Sequence, residues 1–253
     1  MPTFTDKARR LTRVRLLLRR RYGEPVRPGV THPVEHALRA ILSEEATTAQ
    51  VDAAMGRLRQ HFVDFNDLRV SRPREIRDAL GASFPRSGHK ARVIPRLLDQ
   101  VFKQHNSMVW DFLEGMGKIE ARAYFERLEE VRPFVAAVIA RDCVGAHAFP
   151  VDNDVARVLG RLGVLDPAAQ SEAEMQNLLE RAVRADRAFE SHALVKRLAE
   201  DLCGGGTPLC SQCRLTRFCP SAVFPTQKKR AKKRAGAKKA AARRKAAPAR
   251  RKK

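Results

Sequence analysis

No apolar run in this chain approaches the ~20 residues that a helical membrane span requires. The first residues, with Asp6 early and arginine throughout, also lack the apolar stretch of a signal peptide. Membrane-spanning and exported classes are set aside on that basis, and a cytoplasmic, nucleoid-associated location is expected. Strand alternation is absent and no repeat of solenoid period occurs, which argues against a β fold or a stacked array. Acid is missing from one end: residues 228–253 hold fifteen Lys or Arg and no Asp or Glu, so of the formal +22 residues 1–227 keep +7. Cysteine is scarce at five residues, yet four of them fall between Cys203 and Cys219.

What is present is enough for a core. A chain of 253 residues with 43% hydrophobic content can form one large or two modest domains. The apolar positions have helical period: Val34, Ala37, Leu38, Ile41 and Leu42 form one stripe after Pro33, and Val51, Ala54, Met55 and Leu58 form another. Pro73 and Gly81 bracket a short helix, Ser171 with Glu174 reads as a capping box, and "KARRLTRVRLLLRRRYG" places Leu11, Val14, Leu17 and Leu18 on one face. The body is expected to be all-α. The final stretch, with basic pairs separated by Ala and no aromatic residue, cannot bury a core and is expected to be a disordered polycation.

In a reducing compartment four clustered thiols point to metal rather than to a disulfide framework. Four thiolates suit tetrahedral zinc or a [4Fe–4S] cube, and a CxxC pair alone does not decide between them. Cys143 stands apart after an apolar helical run and reads as a small buried hydrophobe.

The spacing C-x6-C-x2-C-x5-C ending in Cys-Pro resembles the iron–sulfur loop of the endonuclease III family of DNA glycosylases, within the helix-hairpin-helix superfamily. Cys203, Cys210, Cys213 and Cys219 fall on its ligand positions, so the resemblance implies one [4Fe–4S] cluster. "PVEHALRAILSEEATTAQV", "GASFPRSGHKARVI" and "FPVDNDVARVLGRLGV" resemble further family segments in the same order, over about residues 8 to 222. The implied architecture is two helical lobes with a DNA cleft between them. Residues 1–30 carry an N-terminal helix that packs with the cluster lobe, 31–146 a six-helix lobe, 147–222 the cluster lobe, and 223–253 the basic tail.

Asp152 matches the family's catalytic aspartate. Breaking an N-glycosidic bond develops positive charge on the sugar, which a neighbouring carboxylate can stabilise while helping water attack. Asp directly ahead of "NDVARVLGRLG" is also a good helix N-cap, and both readings can hold together. Eighteen residues earlier the family carries Leu-Pro-Gly-Val-Gly-x-Lys, whose glycines admit a phosphate and whose Lys attacks the sugar. Here that interval reads "LEEVRPF": Leu128 and Val131 persist, Glu129, Glu130 and Arg132 replace Pro and the two Gly, and Phe134 stands in place of Lys. "EGMGK", residues 114–118, has the right composition but lies sixteen residues too early, and reads as a turn between helices. Glu45 stands where relatives carry a Gln that enters the duplex, Asp154 replaces a frequent His, and Lys90 matches a Lys able to approach DNA.

Candidate DNA contacts are therefore Glu45, Lys90 and Arg132, together with Lys228, Lys229, Arg230, Lys232, Lys233 and Arg234 of the tail, whose phosphate neutralisation is sequence-independent and salt-sensitive. The expected function is that of a monomeric, duplex-binding glycosylase that hydrolyses the bond to a damaged or mismatched base through Asp152, without Lys-dependent cleavage at the abasic site. The alternatives are a catalytically silent iron–sulfur DNA-binding relative and a nucleoid-packing protein dominated by its tail.

Overall fold

The computed structural model describes residues 3–27 and 32–224. Among these, eleven α-helices and three short 3-10 turns occur and no strand. The chain enters through α1 (Phe4–Tyr22), opened by a Thr3 capping box and closed at Gly23. It continues through α2 (Pro33–Ser43), α3 (Thr48–His61), α4 (Phe65–Val70), α5 (Pro73–Leu80), α6 (Ser87–His105), α7 (Lys118–Glu126) and α8 (Pro133–Cys143). After the crossover 144–151 come α9 (Asn153–Arg161), α10 (Glu172–Ala182) and α11 (Ala185–Asp201), then the cysteine loop. Among the described residues no helix is long and apolar enough to cross a membrane.

Helix boundaries follow local chemistry. Pro33, Pro73 and Pro133 sit at helix starts, where a missing N–H costs nothing, and Thr47 with Gln50 and Ser171 with Glu174 form reciprocal capping boxes. Gly81 ends α5 at φ 86°, a backbone state in which an L side chain is strained. Gly163, after α9, has φ 66°, again a state in which an L side chain is strained.

Two hydrophobic cores divide the helices. The first gathers α2 to α8, with Leu38, Met55, Ile94, Trp110 and Phe125 all but inaccessible. Its shortest helix, six-residue α4, is capped by Asp64, whose Oδ1 accepts from Asp67 N–H. The second joins Leu11, Val14 and Leu18 of α1 to Phe149, Leu159, Leu179, Leu198 and Leu215. At roughly 1.5–3 kcal/mol for each large apolar side chain, burial in these cores is what offsets the ordering of short helices that would not persist alone. α8 lies against α2 and α7, and its residues Phe134, Val138, Arg141 and Asp142 line a groove shared with α11. That groove is where the two cores meet.

Candidate active site and cysteine loop

Asp152 is the N-cap of α9. Its Oδ1 accepts from Val155 N–H at 2.9 Å, satisfying a helix N-terminus that also favours negative charge. Its other oxygen accepts from Lys196 Nζ of α11, which also donates to Asp154 Oδ2 at 2.9 Å. Asp152 is 3% exposed. Burial alone would lower the Lys196 pKa, but the Asp152 and Asp154 carboxylates more than offset it and hold the ammonium above its ordinary value. Asp154, despite the burial that opposes its charge, is kept below the usual carboxylate range by Lys196 and by Arg157, whose Nη2 lies 2.7 Å away.

The segment "LEEVRPF", residues 128–134, lies between α7 and the start of α8. Its turn, 127–132, lies at the interval counted back from Asp152, and Glu130 adopts φ 63° at the position where the resembling pattern has its first Gly. Gln100 of α6 braces the turn, accepting from Glu129 N–H at 2.8 Å and donating to Glu129 O at 3.2 Å, while Arg96 pairs with Glu130. Glu130 holds this left-handed backbone without the freedom of a glycine, and its carboxylate puts negative charge on the turn. Phe134 is 1% exposed and packs in the first core. "EGMGK" is a separate turn one helix earlier: a 3-10 segment ends at Gly115 and Lys118 opens α7.

Around this centre the candidate DNA contacts divide. Arg132 is a tie: Nη1 donates to Glu44 Oε2 at 2.9 Å and Nη2 to Glu172 Oε2 at 2.7 Å, while Glu172 Oε1 accepts from Phe134 N–H at 2.6 Å. Glu45, at φ 57°, is exposed, and its Oε1 accepts from Asn153 Nδ2 at 3.1 Å beside Asp152. Lys90 requires a correction. A DNA-approaching lysine needs an accessible ammonium, whereas Lys90 is 0% exposed and its Nζ donates to Leu42 O at 2.9 Å and Glu44 O at 2.6 Å. It closes the C-terminal end of α2, and burial, opposed by Glu44 and Glu45, pulls its pKa down to about 8. Lys228, Lys229, Arg230, Lys232, Lys233 and Arg234 lie outside the described residues.

Lys196 was not singled out in the sequence, though a signal exists. It falls on the stripe of α11 that also carries Phe189, His192 and Ala199, where a cation must find a buried partner.

Cys203, Cys210, Cys213 and Cys219 all line one small apolar pocket with Val158, Leu162, Leu198 and Leu215. Arg161, at the end of α9, holds the loop: its Nη1 donates to Gly204 O at 2.8 Å and Cys203 O at 3.3 Å, and lies 3.4 Å from Cys203 Sγ. Thr216 Oγ1 donates to Cys213 O at 2.6 Å. Among the described residues no three His, Cys, Asp or Glu side chains gather closely enough to hold a single metal ion. The donor set around the pocket, four thiols with one guanidinium beside a sulfur, fits an iron–sulfur cube, which takes one thiolate per corner and so spreads them wider than a lone ion does. Burial, then the charge of neighbouring cysteines, raises the Cys213 and Cys219 pKa values, so these thiols ionise readily only when a cation is supplied. Cys143 is half-buried at the end of α8, and burial pushes it up to about 12, leaving it a thiol.

The fold is that of the helix-hairpin-helix DNA glycosylases. The chain aligns with a structure of a trapped endonuclease III–DNA covalent intermediate at a TM-score of 0.70 and 21% identity, covering 88% of this chain and 98% of that one. It aligns with a thermostable thymine-DNA glycosylase at a TM-score of 0.63 and 16% identity, covering 86% and 97%. In sequence it is similar to endonuclease III of Synechocystis sp., 28% identical over 233 residues, 86% of this chain and 94% of the relative. No family model matches the chain.

Proposed function

We propose that the protein binds double-stranded DNA as a monomer and hydrolyses the N-glycosidic bond of a damaged or mismatched base, without amine-dependent cleavage at the abasic site. One observation carries this reading: Asp152 keeps its place at the start of α9, while the amine position of the hairpin is filled by buried Phe134. In the reaction the oxygen of water bonds to C1′, the C1′–N bond breaks with its electron pair leaving on the base, and the proton of water goes to the base nitrogen. Asp152 offers negative charge to the oxocarbenium-like sugar. Lys196 positions that carboxylate, and the Val155 N–H of α9 holds its other oxygen. Because Lys196 is held protonated by two carboxylates, it has no lone pair with which to attack.

Cys203, Cys210, Cys213 and Cys219 would hold the [4Fe–4S] cluster, which when bound supplies four iron–thiolate bonds that clip the loop. The lobe limits 31–146 and 147–222, and the tail 223–253 as a non-specific phosphate clamp, belong to the same reading. The DNA in a solved non-covalent complex of endonuclease III supports a DNA partner.

A second reading, a silent DNA-binding relative, is favoured by one observation: Asp152 is 3% exposed and its charge is matched by Lys196. The test incubates the cluster-loaded chain with duplexes bearing oxidised, deaminated, alkylated or mismatched bases, scoring base loss separately from strand scission. Base loss that vanishes in Asp152→Asn, with no strand scission and no borohydride-trapped complex, supports the enzyme. Absence of base loss from every duplex moves the silent reading ahead.

A further inference from the structure

The arginines of α1 divide into two sets. One set holds the helix to the second core: Arg10 donates to Leu162 O at 2.6 Å, Arg15 pairs with Glu190 at 2.9 Å and Arg21 with Asp201 at 3.0 Å. The other set, Arg9, Arg13 and Arg20, is exposed and forms no ion pair among the described residues. Asp6, the one acid of α1, is committed to the Thr3 cap. With Leu16, which is 46% exposed, these three make the helical spacing 9, 13, 16, 20: a stripe about 16 Å long on the side of α1 opposite buried Leu11, Val14 and Leu18. Like charges four residues apart weaken a helix, so Arg9 and Arg13 carry a cost that a polyanion would offset.

The cysteine loop borders this stripe. The Arg13 guanidinium lies over the Phe218 ring at 4.8 Å and Arg21 donates to Gln212 O at 3.3 Å, and the loop carries two more exposed cations, Arg214 and Arg217. The stripe is turned away from Asp152. Helix α11 lies against both α1 and α9, and its residues Glu190 and Asp201, which take arginines of α1, sit roughly 130° around its axis from Lys196, which takes Asp152. Near Asp152 the cations are already matched: Lys196 and Arg157 share Asp154, and Arg132 is held by Glu44 and Glu172.

We infer that the α1 stripe is a second nucleic-acid backbone site, separate from the Asp152 centre, through which one molecule holds two duplex segments at once. The inference rests on DNA binding at the Asp152 side and not on base release there. All three cations are guanidinium groups, whose planar fork matches a phosphate with two hydrogen bonds. A strand lying along the stripe presents about five phosphates to it, one for about every 3.4 Å of duplex axis. An acidic protein offers the same sign of charge, but stable protein interfaces are built around an apolar centre, and the stripe supplies only Leu16. Nucleic-acid interfaces are polar and wet, as this face is. Contact with phosphates alone carries no sequence information, so the second segment is taken whatever its sequence.

The experiment binds the full chain to an immobilised plain duplex, washes it, and offers a second, fluorescent duplex of unrelated sequence. Native protein is expected to capture the second duplex. Combining Arg9→Gln, Arg13→Gln and Arg20→Gln is expected to cut that capture by about tenfold or more and to lower its log–log salt slope by about 2–3, while retention on the first duplex changes by no more than about threefold. Arg72→Gln, Arg74→Gln and Arg77→Gln together remove the same charge from exposed positions at α5 and are expected to leave capture within about twofold. The basic tail is present in every arm, so a difference between the two triple variants reports on the stripe, and circular dichroism checks that both are folded. Capture that is unchanged in the α1 variant, or that falls equally in the α5 variant, overturns the inference. So does binding of polyglutamate that the α1 variant loses while duplex capture persists, which identifies an acidic protein as the partner. Retention on the first duplex without capture of a second overturns this inference alone; failure to bind the first overturns the DNA-binding reading with it. Capture that persists in a chain releasing no base upholds the second site and removes only the excision reading.

Discussion

Replacing Lys196 with Met removes the ammonium that two carboxylates share and keeps most of the aliphatic stem. Lys196 and Asp152 have side chains 14% and 2% exposed, so the pair sits largely out of water. Removing one partner of such a pair costs about 3–5 kcal/mol, because the charge left behind is neither solvated nor matched. The cost falls on Asp152. Asp154 keeps Arg157 at 2.7 Å, whereas Asp152 keeps only the bond from Val155 N–H. For a chain of this size that loss corresponds to a Tm lower by roughly 6–20 °C. Urea unfolding followed by circular dichroism, on native protein and on Lys196→Met, gives the difference directly. Adding Asp152→Asn is expected to restore all but about 1 kcal/mol, since Asn retains the cap and carries no charge. A loss below about 1 kcal/mol in Lys196→Met, or no recovery in the double variant, refutes the description of a buried, coupled pair.

Three further outcomes are expected. Glu130→Gly relieves the left-handed backbone at φ 63° and removes a negative charge from the hairpin turn; stability is expected to change by no more than about 1 kcal/mol and plain-duplex affinity, by fluorescence anisotropy, to rise. Lys90 has a folded pKa of about 8 against an ordinary 10.5, so between those values the unfolded chain holds a proton that the folded chain has lost, and stability must rise with pH. The stability of native protein relative to Lys90→Met should therefore climb by roughly 3 kcal/mol from pH 8 to 10.5 in urea titrations, and a flat or falling difference contradicts the buried ammonium. Removing residues 226–253 is expected to weaken binding to all duplexes alike and to flatten its salt dependence, measured by anisotropy across a salt series; a selective loss of one lesion's preference contradicts a phosphate-neutralising tail.

Where the sequence was informative, local chemistry set the geometry. Asp152 before "NDVARVLGRLG" reads as a cap and is one, and Ser171 with Glu174 forms its box, because capping is decided within four residues of chain. The segment "LEEVRPF", found by counting back from Asp152, lies between α7 and the first residues of α8. Legibility failed where a side chain's fate depends on distant partners. Lys90 looks like any surface lysine until the α2 carbonyls 46 and 48 positions away are brought against it. Arg132, read as a candidate DNA contact, is held between Glu44 and Glu172, partners that the sequence does not name. Nothing near Lys196 in the chain names Asp152 as its partner, and only its place on an apolar stripe hints that a partner is needed.

α9 carries Asp152 at one end and, about 13 Å along at 1.5 Å per residue, Arg161 at the other, clasping the carbonyls of Cys203 and Gly204. A helix this short moves as a rod, so the cysteine loop is the far anchor of a lever whose tip is the Asp152 carboxylate. Slackening the loop would tilt the rod and misdirect Asp152 while leaving the positive charge of the protein untouched. On the proposed reading, a molecule damaged in that way would still settle on DNA but would no longer aim, so an intact loop would be a condition for useful residence there and not only for folding.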